Sequence, residues 1–246
     1  MMQDYDLIFI NDSRRNDFNS LQRWRETKMQ TDKNKIILFQ GDSITECGRS
    51  IENFSKMGDG YPLLVKAHLG YEYPGKYEFQ NRGISGNRIV DVYARIKADI
   101  TNLKPDYMSI LIGVNDVWHE LDRQNGVDEE KFEAIYSMLI EEIKQDLPDI
   151  KIMIMEPFCL RASATDNTEE NPERWNYFRT EVEKRAKKAK LIAEKYNLVF
   201  VPLQNKFDEV SKESENAYWL VDGAHPTTMG HELIKREWLK AFANIK

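Results

Sequence analysis

The stretch Lys35–Thr45 reads KIILFQGDSIT, and it decides the fold class. Its first half is a short apolar run, and Gly41-Asp42-Ser43 follows directly after that run. A nearly continuous apolar run of this length is typical of a parallel β-strand that is covered on both faces. We therefore predict a strand over Ile36–Gln40, followed by a turn that carries polar side chains.

Four more runs of this kind follow along the chain, and helical patterns separate them. Such alternation predicts a three-layer α/β/α sandwich with a five-stranded parallel sheet and right-handed crossovers. Asp128 is expected to cap one of the helices. The other predicted strands are Tyr77–Asn81, Tyr107–Ile112, Lys151–Glu156 and Leu198–Val201, and the predicted helices span about 61–69, 88–102, 129–147, 174–196 and 228–243.

The first 34 residues differ from the rest, since they are polar and carry equal numbers of acidic and basic residues. A chain of 246 residues is long enough for one large domain or two small ones. No linker divides the sequence after residue 34. We predict an N-terminal extension or arm over 1–34, with a weak helix at about 18–28, and one α/β/α domain over 35–246.

Charge and composition exclude several function classes. The chain has 35 Lys and Arg against 41 Asp and Glu, a net charge of −6, which disfavours binding to nucleic acid or to anionic membranes. No apolar run could span a bilayer, and no secretory signal is visible, so a cytoplasmic location is predicted. Cys47 and Cys159 form no CxxC pair and are expected to be free thiols. No metal or cofactor is predicted, and a homo-oligomer stays open.

Polar residues follow the predicted strands and precede the last helix. Because the carboxyl ends of parallel strands meet at one edge of a sheet, these loops should lie together. The loops are Gly41-Asp42-Ser43-Ile44-Thr45, Asn81-Arg82-Gly83-Ile84-Ser85-Gly86-Asn87, Gly113-Val114-Asn115-Asp116 and Asp222-Gly223-Ala224-His225-Pro226.

The residue types in these loops suggest acyl transfer. Ser43 would be the nucleophile, His225 its base, and Asp222 the carboxylate that orients the imidazole. The backbone N–H groups of Ser43 and Gly86 and the side-chain amide of Asn115 could stabilise an oxyanion. Each residue alone could equally belong to an ordinary turn or helix cap. Their joint occurrence, in this order and at these places, favours a catalytic site.

The same four blocks resemble those of the SGNH hydrolases, the GDSL esterase/lipase superfamily. The resemblance covers about residues 36–240. It implies the flavodoxin-like SGNH hydrolase fold, a triad of Ser43, Asp222 and His225, and oxyanion donors at Ser43, Gly86 and Asn115. The longer strings GDSITECGR, GISGNRIVDVYAR, SILIGVNDVW and DGAHPTTMGHELI are similar to bacterial intracellular acetylxylan esterases of this type. Those enzymes can carry tryptophan directly before the catalytic aspartate, where this chain has Val221.

The predicted function is therefore a metal-independent serine esterase acting on small O-acyl esters, most of all acetylated saccharides such as xylo-oligosaccharides. A lysophospholipase or thioesterase of the same fold is an alternative, and a non-catalytic binding module is another. A nucleotide binder is disfavoured, since the first loop has one glycine and not a phosphate-cradling series. His231 is expected on the surface of the last helix. Candidate substrate contacts are Asp42, Trp118, Tyr218 and Trp219, with His119 beside them.

Overall fold

Five parallel strands form one sheet in a computed structural model that describes residues 34–53 and 55–246. All five predicted strands are confirmed to within one residue at each end. The order β2-β1-β3-β4-β5 puts β3 between β1 and β4, so the cysteines that follow those two strands are both free, as predicted. The strands are β1 (Lys35–Gly41), β2 (Tyr77–Asn81), β3 (Tyr107–Leu111), β4 (Lys151–Met155) and β5 (Val199–Val201).

Ten α-helices and one 3-10 turn surround this sheet within the described residues, and Lys35–Lys246 form one compact unit. None of these helices is long and apolar enough to cross a membrane. The helices are α1 (Ser43–Glu46), α2 (Tyr61–Glu72), α3 (Ile89–Ala94), α4 (Ile96–Asp99), α5 (Val114–Arg123), α6 (Glu129–Asp146), α7 (Arg174–Lys195), α8 (Gln204–Val210), α9 (Asn216–Trp219) and α10 (Thr228–Phe242), with the 3-10 turn at Thr101–Leu103.

Successive side chains of β1 point to opposite faces of the sheet and so belong to two separate apolar cores. Phe39 packs against Tyr61 of α2 and Trp238 of α10 on one face of the sheet, with ring centroids 5.8 and 5.5 Å away. Leu38 belongs to the core on the other face, together with Tyr136 of α6. All these side chains are fully buried. The predicted three-layer α/β/α sandwich is confirmed, because helices cover both faces of the sheet.

Of the five helices predicted after residue 34, four are confirmed and one is wrong. The side chain of Asp128 caps α6 by accepting the N–H of Lys131 at 2.8 Å, as expected. The predicted continuous helix over 88–102 is wrong, because the chain breaks at Arg95 into α3, α4 and the 3-10 turn. The backbone of Arg95 leaves the helical region, and its guanidinium is held by the side chain of Gln40 at 2.7 Å. The helix expected at 18–28 lies outside the described residues.

Candidate active site

The loops at the carboxyl edge of the sheet bring four of the predicted catalytic and oxyanion residues to one pocket of about 350 Å³. Ser43 begins α1 directly after β1, and Asn115 lies in the first turn of α5, after β3. Gly86 follows β2, and His225 precedes α10. All four residues line this pocket, as the topology of a parallel sheet requires of loops at its carboxyl edge.

A chain of short contacts joins three side chains at the pocket. Ser43 Oγ lies 2.9 Å from His225 Nε2, and His225 Nδ1 lies 2.7 Å from Asp222 Oδ2. The second oxygen, Asp222 Oδ1, accepts the backbone N–H groups of Ala224 and His225 at 3.0 and 2.8 Å. Asp222 is thus fixed by its own turn, and its free oxygen is aimed at the imidazole. The arrangement can pass a proton from a hydroxyl to an imidazole whose far side faces a carboxylate.

The pKa values of Asp222 and His225 shift in opposite directions, that of Asp222 down and that of His225 up. Burial by itself would raise the pKa of Asp222, but the hydrogen bonds from the imidazole and from two backbone N–H groups lower it to about 2. The hydrogen bond to Asp222 raises the pKa of His225 above 6.5, against the opposing effect of burial. The carboxylate is therefore charged at neutral pH, and the imidazole is a stronger base than a free histidine.

The loop over 161–173 contains no helix or strand, and this loop and the residue before it bond to the Asp222 turn. The N–H of Ala164 donates to the carbonyl of Asp222 at 3.0 Å, and the N–H of Leu160 donates to that of Gly223 at 2.9 Å. These bonds hold the backbone of the turn whose side chains face Ser43.

The three residues predicted to donate to an oxyanion, Ser43, Gly86 and Asn115, all line the pocket. The backbone N–H groups of Ser43 and Gly86 make no hydrogen bond within the described part of the chain. Asn115 Nδ2 donates to the carbonyl of Asn87 at 3.2 Å, which uses one of its two hydrogens. Gly86 has φ of +78°, a conformation that side-chain-bearing residues rarely adopt. The arrangement can stabilise a negatively charged oxygen placed among these donors.

One face of α5 forms a wall of the pocket, of which the sequence predicted Trp118 and His119 but neither Asp122 nor Arg123. Trp118, His119, Asp122 and Arg123 line it together with Asn115. Trp118 Nε1 donates to Asp122 Oδ2 at 2.8 Å, which fixes the indole ring 5.8 Å from that of His225, centroid to centroid. The signal was available, since positions 115, 118, 119 and 122 have the spacing of one helix face. No helix was predicted over 114–123, so the shared face was not recognised.

Contrary to the prediction, three of the candidate substrate contacts do not line this pocket. Asp42 is fully buried, and its Oδ1 accepts the N–H of Ile44 at 2.9 Å, so it acts as the cap of α1. Trp219 donates from Nε1 to Ser214 Oγ at 2.7 Å and lines a different groove. Tyr218 is half-exposed and packs edge-on against Trp219. Of the four candidates, only Trp118 lines the pocket.

The expectation that His231 lies on a helix surface is also wrong. His231 is 3% exposed, and its Nδ1 accepts the N–H of Tyr61 at 3.1 Å. Its Nε2 lies 3.4 Å from Cys47 Sγ. Burial, and then the charge of His225, lowers the pKa of His231 to about 4, so the ring is neutral. Within the described residues, no group of three or more His, Cys, Asp or Glu side chains is placed to hold a metal ion.

Comparison with known proteins agrees with this fold. Residues 39–233 match the GDSL-like lipase/acylhydrolase family, and the chain belongs to that family. It is a carboxylic ester hydrolase of the SGNH type, with the five-stranded α/β fold of those enzymes.

Individual relatives cover almost the whole of the described unit. The chain is 34% identical to an acetylxylan esterase of Geobacillus stearothermophilus over 222 residues, which is 86% of this chain and 95% of that one. A solved structure of an acetylxylan esterase from the same organism matches with a TM-score of 0.73 at 33% identity, over 85% of this chain and 94% of the other. A GDSL-like lipase from Parabacteroides merdae matches with a TM-score of 0.79 at 35% identity, over 86% of this chain and 97% of that chain.

Proposed function

We propose that this protein is a serine esterase that removes acetyl groups from carbohydrates, with acetylated xylo-oligosaccharides as the substrate class. The observation that carries the proposal is the chain of contacts from Ser43 Oγ through His225 to Asp222, at 2.9 and 2.7 Å, beside a small polar pocket. The Geobacillus stearothermophilus relative supports the substrate class, since one of its structures is described as an acetyl-xylooligosaccharide esterase. Two others are described as catalytic mutants, one lacking a serine and one an aspartate.

In the proposed acylation step, Ser43 Oγ attacks the acetyl carbonyl carbon, and its proton passes to His225 Nε2. The carbonyl oxygen becomes an oxyanion, which accepts hydrogen bonds from the N–H groups of Ser43 and Gly86 and from Asn115 Nδ2. The imidazolium is stabilised by Asp222. It then gives its proton to the sugar oxygen as the ester bond breaks, which leaves an acetyl group on Ser43.

Deacylation repeats the same steps with water in place of the serine. His225 takes a proton from water, the resulting hydroxide attacks the acetyl carbonyl, and the same three donors hold the oxyanion. The bond to Ser43 Oγ then breaks, and His225 returns the proton to that oxygen. The products are acetate and the deacetylated saccharide.

The pocket favours a short acyl group over the long chain of a lysophospholipase or thioesterase substrate. Its volume of about 350 Å³ is bounded mainly by polar side chains such as Ser85, Asn115 and Asp122. A second concave surface, a groove of about 610 Å³ bounded by α2, α8, α9 and α10, has the apolar lining that a fatty chain needs. Neither Ser43 nor His225 lines this groove. Trp118 is partly buried and lines the pocket, and an aromatic ring at this place suits a sugar substrate because carbohydrates stack on aromatic faces.

Acetate release from acetylated xylo-oligosaccharides, compared with other acetylated sugars, tests the substrate class. We expect the xylo-oligosaccharides to give the highest kcat/KM, and Ser43→Ala to abolish release. Turnover by Ser43→Ala at the wild-type rate would contradict the assignment of the nucleophile. A fluorophosphonate probe that leaves Ser43 unlabelled under native conditions would instead favour a non-catalytic binding module.

We also propose a cytoplasmic location, which the two unpaired cysteines support because free thiols suit a reducing compartment. Cell fractionation tests this location.

The formation of a homo-oligomer also stays a prediction. Light scattering on the purified full chain measures its oligomeric state. We propose a small-molecule ester as the partner, with no metal or other cofactor.

A further inference from the structure

A carboxylate outside the proposed triad connects the nucleophile to the oxyanion donors. Glu46 is the last residue of α1, the helix that Ser43 begins. Its Oε2 accepts the backbone N–H of Ser85 at 2.5 Å and also the hydroxyl of Ser85. Ser85 directly precedes Gly86, so one carboxylate oxygen holds the residue whose peptide bond carries the Gly86 N–H.

The orientation of that N–H depends on the type of turn. The N–H of Asn87 donates to the carbonyl of Ile84 at 3.1 Å, which closes a β-turn with Ser85 and Gly86 at its centre. The φ of Gly86, +78°, is that of the third position of a type II turn. In a type I turn the peptide between the two central residues is turned over, and its N–H points to the opposite side. The position of this oxyanion donor is therefore a choice between two turn types.

Other contacts hold the ends of this loop and leave its tip to Glu46. At the start, Asn81 Oδ1 accepts the N–H of Gly83 at 2.9 Å, and Arg49 Nε donates to the Gly83 carbonyl at 2.6 Å. A Cβ at Gly83 would lie 2.4 Å from the nitrogen of Glu46, so α1 and the loop touch through their backbones. At the far end, Asn87 is bonded to side chains of α5 and Arg95. Within the described residues, only Glu46 bonds to Ser85.

We propose that Glu46 is a positioning residue that selects the type II turn and so directs the Gly86 N–H into the pocket. The proposal rests on the oxyanion role given to Gly86 under the proposed function. A negative charge near a forming oxyanion disfavours the transition state by simple Coulomb repulsion. An orienting role and a purely electrostatic role therefore predict rate changes of opposite sign when Glu46 is replaced.

The test uses two variants of similar size and helix propensity, Glu46→Met and Glu46→Gln, with 4-nitrophenyl acetate as substrate. Glu46→Met removes the acceptor, and we expect kcat to fall about 10- to 100-fold with KM changed less than about 3-fold. Glu46→Gln keeps an acceptor oxygen without the charge, and its kcat should stay within about 3-fold of wild type. Glu52→Met removes an exposed carboxylate from the following loop and is the matched control, with unchanged kcat.

Three results would overturn the proposal: a kcat of Glu46→Met at or above wild type, a loss confined to KM, or an equal loss in both variants of Glu46. Ser85→Ala provides a second test, since it removes the hydroxyl half of the contact. It should lower kcat in the wild-type background and have no further effect beside Glu46→Met. If the wild-type protein itself neither hydrolyses the aryl acetate nor labels at Ser43, the proposed function fails; if it does both, these variants test the Glu46 proposal alone.

Discussion

The hydrogen bond between His225 and Asp222 sets the pH range in which the pocket can react. The base must be neutral to accept the serine proton, so activity rises with pH through the pKa of His225. Asp222 raises that pKa above 6.5 and is itself charged at any pH well above 2. The charge on Asp222 is therefore constant across the working range, and only the imidazole titrates.

Replacing Asp222 by Asn removes the charge and keeps the size of the side chain. The acidic limb of kcat/KM against pH should lie above 6.5 in the wild-type protein and move to lower pH in the variant, since burial alone lowers the pKa of His225. The kcat should fall on the order of 10³–10⁴-fold, because the amide no longer holds the correct tautomer. Steady-state kinetics with an aryl acetate measure both. An acidic limb at the same pH in both proteins would contradict the assigned pair.

At the scale of the element, α1 is a helix of four residues whose cap is a buried acid. Asp42 Oδ1 accepts the N–H of Ile44, and Asp42 Oδ2 has no hydrogen-bond partner among the described residues. Burial raises the pKa of Asp42 to about 7, against the opposing hydrogen bond from Ile44 and the charge of His225. The residue next to the nucleophile therefore stays largely protonated up to neutral pH, which makes the stability of the protein depend on pH.

Asp42→Asn mimics the protonated acid and should remove this dependence. The stability that the raised pKa provides is fully present below 3.8 and is lost as the pH rises through about 7, because the unfolded carboxyl ionises first. The variant does not lose it, so its Tm should gain on that of the wild type by roughly 5–10 °C between about pH 5 and pH 8. Calorimetry at the two pH values measures the gain. A Tm difference that is the same at both would mean that Asp42 ionises normally in the folded protein.

At the scale of the whole molecule, two concave surfaces differ in the polarity of the side chains that line them. The pocket of about 350 Å³ contains Ser43 and His225. The groove of about 610 Å³ is bounded by α2, α8, α9 and α10, and its apolar floor includes Leu64, Trp219 and Leu233. Since Ser43 and His225 line the pocket and not the groove, we expect an acyl chain that reacts to fit in the pocket.

An acyl-chain series from acetate to octanoate should therefore give the highest kcat/KM with acetate. Met229→Ser makes the groove more polar and should leave the whole series unchanged, because Met229 lines only the groove. Trp118→Ala alters the pocket wall and should change KM for saccharide esters more than for aryl acetate. A preference for octanoate that Met229→Ser abolishes would show that the groove binds the acyl chain, and the carbohydrate proposal would be wrong.

Local sequence patterns predicted most of the fold, because strand and helix formation depend mainly on neighbouring residues in the chain. The apolar runs of β1 to β5 are short and continuous, so their strands could be identified to within one residue. The break at Arg95 was not predictable from periodicity, since it accompanies a contact with Gln40, a residue 55 positions earlier in the chain. Short helices such as α1 and α9 contain too few residues to establish a period at all.

The sequence by itself determined that Ser43, Gly86, Asn115 and His225 meet at the pocket, with Asp222 behind His225, because all of them follow strands or precede α10 and a parallel sheet brings such loops together. Only the tertiary structure decided what surrounds them. It buried Asp42 and His231, turned Trp219 towards the groove, and placed one face of α5 and the carboxylate of Glu46 beside the pocket. The physical reason is that strand periodicity and loop order are local properties, whereas burial and side-chain partners depend on packing between distant segments.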